Sequence, residues 1–336
     1  MVKKKLLVYP FTQEFSHIAK YSHLLSEYNI ASLVLPSGLN HTNIMDTLNV
    51  GSGVDAMLSS DFNEALSRCD AVLFTAETND YEKRLDQANA AGKQVLVFDK
   101  KWNESAIYPS FMQTDMLKRI DTPIVMVYGQ GALTQKFDIQ LGLCTCFIQT
   151  GYKVLSFGTK EYASLFGMNT FPDLSAFPMW IKALHVNRIV YEQARRTNPN
   201  IIIIGVPGGI VPMSEAYHQF WGEDAMAYSI GLKPDVSIIS VYENLAVDSV
   251  AEKTSNYMKA CFGNAPDFIH VANTRITPAR AEEKPNYLHV DNETVHKRIS
   301  AFQSSYDLFN INNLNESEAV YQKIVDQLHE NVPVVF

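Results

Sequence analysis

Short apolar runs alternate with stretches of helical periodicity along most of this chain. Residues 5–9 form an apolar and aromatic run ended by Pro10. Across residues 13–28, Phe15, Ile18, Ala19, Leu24 and Leu25 recur at nearly helical intervals, which predicts a helix. Residues 30–35 are apolar again and close on the turn signal Pro36-Ser37-Gly38, and Gly51-Ser52-Gly53 marks a further loop. Asp61-Phe62-Asn63-Glu64 reads as a helix start with a capping-box-like pattern. Strand-like residues 71–75, helical residues 81–91, Gly92 and strand-like residues 94–98 complete the series. Strands alternating with helices predict right-handed βαβ units and a parallel sheet, a Rossmann-like topology for residues 1–118.

After a short linker at residues 119–123 the alternation restarts. Strands are expected at residues 124–128, 153–157, 201–206, 236–242, 268–272 and 287–290. Helices are expected at residues 136–150, 180–197 and 247–261, with a last one starting at Asn315-Glu316-Ser317-Glu318 and ending near residue 329. The almost wholly apolar residues 201–206 belong at the centre of a parallel sheet. Residues 119–336 are thus expected to form a second α/β domain. Residues 166–177 are too apolar for an ordinary exposed loop. They predict a lid, a partner surface or a segment packed under the domain.

Composition narrows the class without naming the chemistry. The chain has 336 residues, 46% hydrophobic and 19% charged, the balance of a chain with a sizeable core rather than of a disordered one. A net charge of −8 argues against a general nucleic-acid partner, because phosphate backbones need a basic surface. The longest apolar runs are far too short to span a bilayer, so no membrane role is expected. The basic start Met1-Val2-Lys3-Lys4-Lys5 has too short an apolar run behind it to read as a signal peptide. Cys69, Cys144, Cys146 and Cys261 lack zinc-site spacing, fit a reducing cytoplasm, and predict no metal site.

Candidate chemistry clusters at the strand ends of the second half. The turn after the first strand, Tyr9-Pro10-Phe11-Thr12-Gln13, has no glycine, which argues against a dinucleotide site in the first half. By contrast, Gly129-Gln130-Gly131-Ala132-Leu133-Thr134-Gln135-Lys136 follows an apolar strand and opens a helix. In that context backbone N–H groups and a helix N-terminus hold phosphate, with Lys136 at the first turn. A Walker A loop would carry Gly where Gln135 stands, and Ser or Thr where Phe137 stands, so metal-dependent triphosphate hydrolysis is not expected. The plainer reading is a strand–turn–helix junction with a surface lysine. Gly208 and Gly209, after the most apolar strand, allow close backbone approach or form a tight turn. Asn273, Thr274 and Arg275 follow another strand and could line the same crevice, as could Glu243 and Asn244. Gly129, Gly131, Thr134, Gln135, Lys136, Gly208, Gly209, Asn273, Thr274 and Arg275 are therefore the candidate ligand-binding set. His218 and Glu215 are acid–base candidates, set against a structural role for the histidine.

Several of these segments together resemble a known family. They are Leu7-Val8-Tyr9-Pro10-Phe11, the Ser60–Leu66 helix start, Thr134-Gln135-Lys136-Phe137-Asp138-Ile139-Gln140-Leu141, Gly151-Tyr152-Lys153-Val154 and Ile204-Gly205-Val206-Pro207-Gly208-Gly209-Ile210. As a set they look like the bacterial peptide maturation system protein family, found in gene clusters that make ribosomally synthesised, modified peptides. More distantly, the layout is similar to proteins with a Rossmann-like N-terminal domain followed by a P-loop domain, some of which are N-acetyltransferases acting on D-amino acids. The resemblance implies a Rossmann-like domain and a P-loop-like domain with a degenerate phosphate loop. It implies an accessory role in peptide natural-product maturation, with a nucleotide or coenzyme A as the bound ligand. The alternatives are an acyltransferase using acetyl-CoA on an amino acid or peptide, and a non-catalytic module that holds the precursor peptide or a peptide-modifying enzyme. Self-association into a homo-oligomer is left open.

Overall fold

The computed structural model describes residues 2–36, 57–97, 116–212, 218–277, 285–303 and 306–330. The chain divides into two compact units. One comprises Met1–Lys101 with Glu161–Met168, the other Trp102–Lys160 with Asn169–Phe336.

The first unit runs β1 (Lys4–Tyr9), α1 (Ser16–Lys20), β2 (Tyr28–Val34), β3 (Leu58–Ser59), α2 (Phe62–Ser67), β4 (Ala71–Phe74), α3 (Tyr81–Ala90) and β5 (Gln94–Val97). Its sheet is wholly parallel in the order β3-β2-β1-β4-β5, the first five positions of the Rossmann order. Leu7, Tyr9, Val72 and Phe74 pack on Phe62, Ala65, Leu66 and Ala88 of the flanking helices. The Asp61 carboxylate caps α2, accepting from the N–H groups of Asn63 at 2.8 Å and Glu64 at 3.1 Å. The helix expected over residues 13–28 is broken into two 3-10 turns around the five-residue α1. Tyr28 is already paired with Lys4 of β1, so strand pairing takes the end of that segment, and Ser22 and Ser26 add little helix propensity against it. At the end of β1 the Tyr9 hydroxyl donates to Asp80 Oδ1 at 2.6 Å. That bond, ahead of Thr78 and Arg84, holds the Asp80 carboxyl down at about 2. A 3-10 turn at Glu161–Phe166 completes this unit, with the Tyr162 ring stacked on His17 and its hydroxyl 3.0 Å from His17 Nε2.

The second unit runs β6 (Ile124–Gly129), α4 (Lys136–Gln149), β7 (Val154–Gly158), β8 (Asn169–Thr170), α5 (Met179–Thr197), β9 (Ile201–Gly205), α6 (Glu223–Leu232), β10 (Val236–Tyr242), α7 (Asp248–Phe262), β11 (Phe268–Ala272), β12 (Thr274–Thr277), β13 (Asn286–His289), α8 (Asn292–Ser300), β14 (Asp307–Phe309) and α9 (Leu314–Glu330). Seven parallel strands lie in the order β14-β11-β10-β6-β9-β7-β8. β6, β9, β10 and β11 are buried throughout, as strands of a sheet covered on both faces should be; β9 is an apolar run, while β10 and β11 also carry the buried polar residues Ser237, Ser240 and His270. The expected strand at residues 287–290 is instead the antiparallel partner of β12 in a separate hairpin. Of the three readings of residues 166–177, packing under the domain is the one observed for the part in this unit. Leu174 is buried, Phe171 stacks on Phe157 at 4.5 Å between centroids and meets Tyr228 edge-on at 5.0 Å, and Phe177 reaches His185 at 5.3 Å. The expected linker at residues 119–123 leads straight into the core, where Ile120 packs. Among the described residues no helix is long and apolar enough to cross a membrane.

Candidate anion-binding loop

β6 is the middle strand of the second sheet, so the loop behind it opens between the ends of β9 and β10. Strand carboxyl ends are where open α/β sheets take ligands. Residues 130–135 turn the chain from β6 into α4, with Leu133 and Gln135 both in the left-handed region at φ 55° and 57°. L-residues adopt that conformation at a cost, so neighbours must fix it. Ser240 Oγ donates to the Thr134 carbonyl, Thr274 Oγ1 to the Leu133 carbonyl at 2.7 Å, and Tyr242 OH to the Ala132 carbonyl at 2.7 Å. Gln135 Oε1 accepts from the Asn273 N–H at 2.7 Å, and Gln130 Oε1 from the Tyr242 N–H at 3.0 Å. The loop carbonyls are thereby turned outward into the protein.

The opposite polarity is left at the crevice. Among the described residues none accepts the backbone N–H of Gly131, Ala132, Leu133, Thr134 or Gln135. These five donors stand in front of a fourteen-residue helix, whose N-terminus adds positive partial charge. Lys136 reaches across the crevice and donates to the carbonyls of Val206, at 2.9 Å, and Gly208. Burial, helped by the nearby Lys160 and opposed by Asp224, brings its ammonium down to about 8.

The glycines allow this closeness. A Cβ on Gly131 would stand 2.5 Å from the Tyr242 hydroxyl, and one on Gly209 would stand 2.6 Å from the Gln130 carbonyl oxygen. Gly208 has φ +69°. Gln219 joins both glycine segments. Its Nε2 donates to the carbonyls of Gln130, at 2.8 Å, and Val211, at 2.5 Å.

The structure brings Gly129, Gly131, Thr134, Gln135, Lys136, Gly208 and Gly209 together around one crevice. It gives other members of the candidate set supporting duties. Asn273 is 1% exposed, and all four of its side-chain hydrogen-bonding positions are used. Nδ2 donates to Val290 O and Asn292 Oδ1, and Oδ1 accepts from Asn310 and Asn312. It positions Gln135 through its backbone and has no side-chain group left for a ligand. Thr274 holds the Leu133 carbonyl. Arg275 pairs with the buried Glu243 at 2.7 Å, and Arg298 reaches the other oxygen at 3.1 Å. Asn244 fastens the hairpin through Ile276 N and O. His218 caps a 3-10 turn, its Nδ1 accepting from the Phe220 N–H at 2.9 Å, and its ring stacks on Trp221 at 4.2 Å. Glu215 lies outside the described residues, so no His218–Glu215 pair is built by them.

Three features of the crevice differ from a hydrolytic site. Phe137 is buried at the position where a metal-holding hydroxyl would stand, and the Thr134 hydroxyl turns back to the Gly131 carbonyl at 3.0 Å. At Gly205, where such a site has a carboxylate, the buried Gln140 side chain fills the space a Cβ would take. Among the described residues no group of three or more His, Cys, Asp or Glu could hold a metal ion. Cys144 lies inside α4, and burial pushes its thiol up to about 12.

A Rossmann-like unit followed by a parallel unit with a glycine loop, helix N-terminus and first-turn lysine defines a two-domain α/β protein of Rossmann-like plus P-loop-like architecture. No protein-family model matches the chain, and no curated protein matches it. Among solved structures it is similar to a DUF1611 family protein from Anabaena variabilis at 13% identity, covering 98% of this chain and 100% of that one with a TM-score of 0.60. At that identity the likeness is one of fold. Shorter matches include the hydrogenase maturation factor HypB from Archaeoglobus fulgidus, at 12% identity over 62% of this chain and 90% of that one, TM-score 0.34. A nucleotide-binding protein in complex with ADP, also from Archaeoglobus fulgidus, matches at 13% identity over 63% and 92%, TM-score 0.33.

Proposed function

We propose that the loop between β6 and α4 binds the phosphate of a nucleotide or of coenzyme A, and that the protein serves as an accessory protein in maturing a ribosomally made peptide. One observation carries the first part: the five successive N–H groups of residues 131–135 have no acceptor among the described residues and stand at a helix N-terminus beside Lys136. Such an array is complementary to an anion. A bound phosphate takes those five donors, and Lys136 exchanges its two carbonyl acceptors for a phosphate oxygen. Phe137, the turned-in Thr134 hydroxyl and Gly205 favour binding over hydrolysis. The second part is supported by the segments that resemble the peptide maturation system proteins, and a precursor peptide or a modifying enzyme is the partner it implies.

A thermal-shift titration with ATP, GTP, ADP and acetyl-CoA, with and without Mg²⁺, tests the site in wild type and Lys136→Ala. A ligand of the native state adds about 2.7 kcal/mol of stability at roughly 100-fold excess over its dissociation constant. A shift present in wild type and lost in the variant is expected, and no shift with any ligand overturns the site. The peptide role predicts enrichment of the precursor peptide over a scrambled peptide in a pull-down, and equal recovery of the two counts against it.

A further inference from the structure

A cavity of about 600 Å³ lies at the carboxyl end of β14. Its walls are the first two turns of α8 and residues 310–316 at the carboxyl end of β14. They include Asn292, Glu293, His296, Asn312, Asn315 and Glu316. A volume of that size is in the range of small-molecule sites.

Its position relative to the loop is set by the sheet. β10 alone separates β6 from β11, and β14 is one strand further. At about 4.8 Å per strand the cavity begins roughly 10–14 Å from the loop. The two are also tied by one residue. The Asn273 N–H holds Gln135 of the loop, while its side chain bonds Asn292, Asn310 and Asn312 of the cavity wall.

The lining chemistry is that of an acceptor-rich, uncharged-ligand site. Among the described residues no lysine or arginine lines it, so it does not suit an anion. Glu316 is already supported, accepting from the Asn310 N–H at 3.1 Å and from Asn313 Nδ2 at 2.7 Å, with His296 at 3.5 Å. Oε1 meets both Asn313 and His296, while Oε2 accepts only from Asn310 among the described residues and keeps a lone pair for a ligand donor. Ile299 and Leu314 supply apolar surface for a flat ring.

We infer that this cavity takes the nucleobase of the ligand whose phosphate occupies the loop. The inference rests on the anion-site reading and extends it from phosphate to a nucleotide or a nucleotide-containing coenzyme. A heterocycle with N–H donors suits carboxylates and carboxamides, and its distance from the phosphate of the same molecule suits the strand spacing.

Calorimetric titrations of the full chain with inorganic pyrophosphate, ADP, GDP and coenzyme A test it. Asn315 is exposed at the cavity rim and makes no side-chain hydrogen bond among the described residues, so Asn315→Trp blocks the cavity and Asn315→Ala is its control. At least one of the three base-bearing ligands is expected to bind tenfold or more tighter than pyrophosphate. Asn315→Trp should remove that advantage while pyrophosphate affinity stays within twofold, and Asn315→Ala should keep it. Which ligand gains separates a nucleoside diphosphate from the coenzyme. If pyrophosphate binds and the base adds nothing, or if the advantage survives Asn315→Trp, the cavity is not the base site although the anion site stands. If neither pyrophosphate nor any base-bearing ligand binds, both readings are overturned.

Discussion

The depressed Lys136 gives the proposed anion site a pH signature that an ordinary lysine cannot produce. In the free protein its ammonium titrates at about 8, chiefly because burial removes its water. It is then about nine-tenths charged at pH 7 and about one-tenth charged at pH 9, whereas a lysine at its usual value stays charged at both. If the charged form is the one that binds, apparent affinity scales with that fraction. Affinity for sulfate, an anion whose own charge is constant over this range, should therefore fall about tenfold from pH 7 to pH 9. Binding must also draw protons from the buffer, because the anion raises the lysine again. Isothermal titration at pH 7, 8 and 9, in two buffers of different ionisation enthalpy, measures both effects. Lys136→Met should abolish the proton uptake above pH 8. The sign for folding runs the other way. Between about 8 and the ordinary lysine range the unfolded chain holds the proton that the folded chain has lost, so this group's contribution to stability rises with pH across that window. A sulfate affinity that holds level or rises between pH 7 and pH 9 in wild type would contradict the depressed lysine.

Other substitutions test the frame around the loop. Gly209→Ala places a methyl against the Gln130 carbonyl and the Gln219 side chain, and should cost about 1–3 kcal/mol in urea unfolding. Asn273→Ala removes a four-bond node and leaves buried partners unsatisfied, so a loss of about 2–4 kcal/mol is expected in urea unfolding, while the backbone N–H that holds Gln135 is kept. Gln219→Ala frees two carbonyls that join the glycine segments. It should lower stability by about 1–2 kcal/mol, and an unchanged melting temperature would show that this tie is not used in solution.

Strands buried on both faces were readable in the sequence because apolar residues dominate them. Ile124–Gly129 and Ile201–Gly205 are of this kind, and the regular alternation around them pointed to parallel sheets. β14 is only three residues long with uneven burial, and α8 has one buried residue, so neither carries a pattern strong enough to read. The Asn286–His289 strand was recognisable as extended, but no local signal says that its partner is a hairpin neighbour rather than the main sheet. The loop was legible for the same reason as the strands: a glycine segment between an apolar run and a helix is a local feature. Its supports were not. Ser240, Tyr242 and Gln219 reach it across 106, 110 and 89 positions of sequence, and no short-range pattern marks them. Asn273 and Arg275 were picked out correctly as strand-end residues. Their partners, which turn them from ligand contacts into supports, became visible only in three dimensions.

The central claim is that the amides of residues 131–135 hold an anion. Amide chemical-shift mapping of the ¹⁵N-labelled protein during a pyrophosphate titration at pH 7 addresses it directly. Gly131, Ala132, Leu133, Thr134 and Gln135 are expected to show the largest saturable shifts, and Lys136→Ala to weaken the titration. Saturable shifts concentrated elsewhere, with these five amides unmoved, would contradict it.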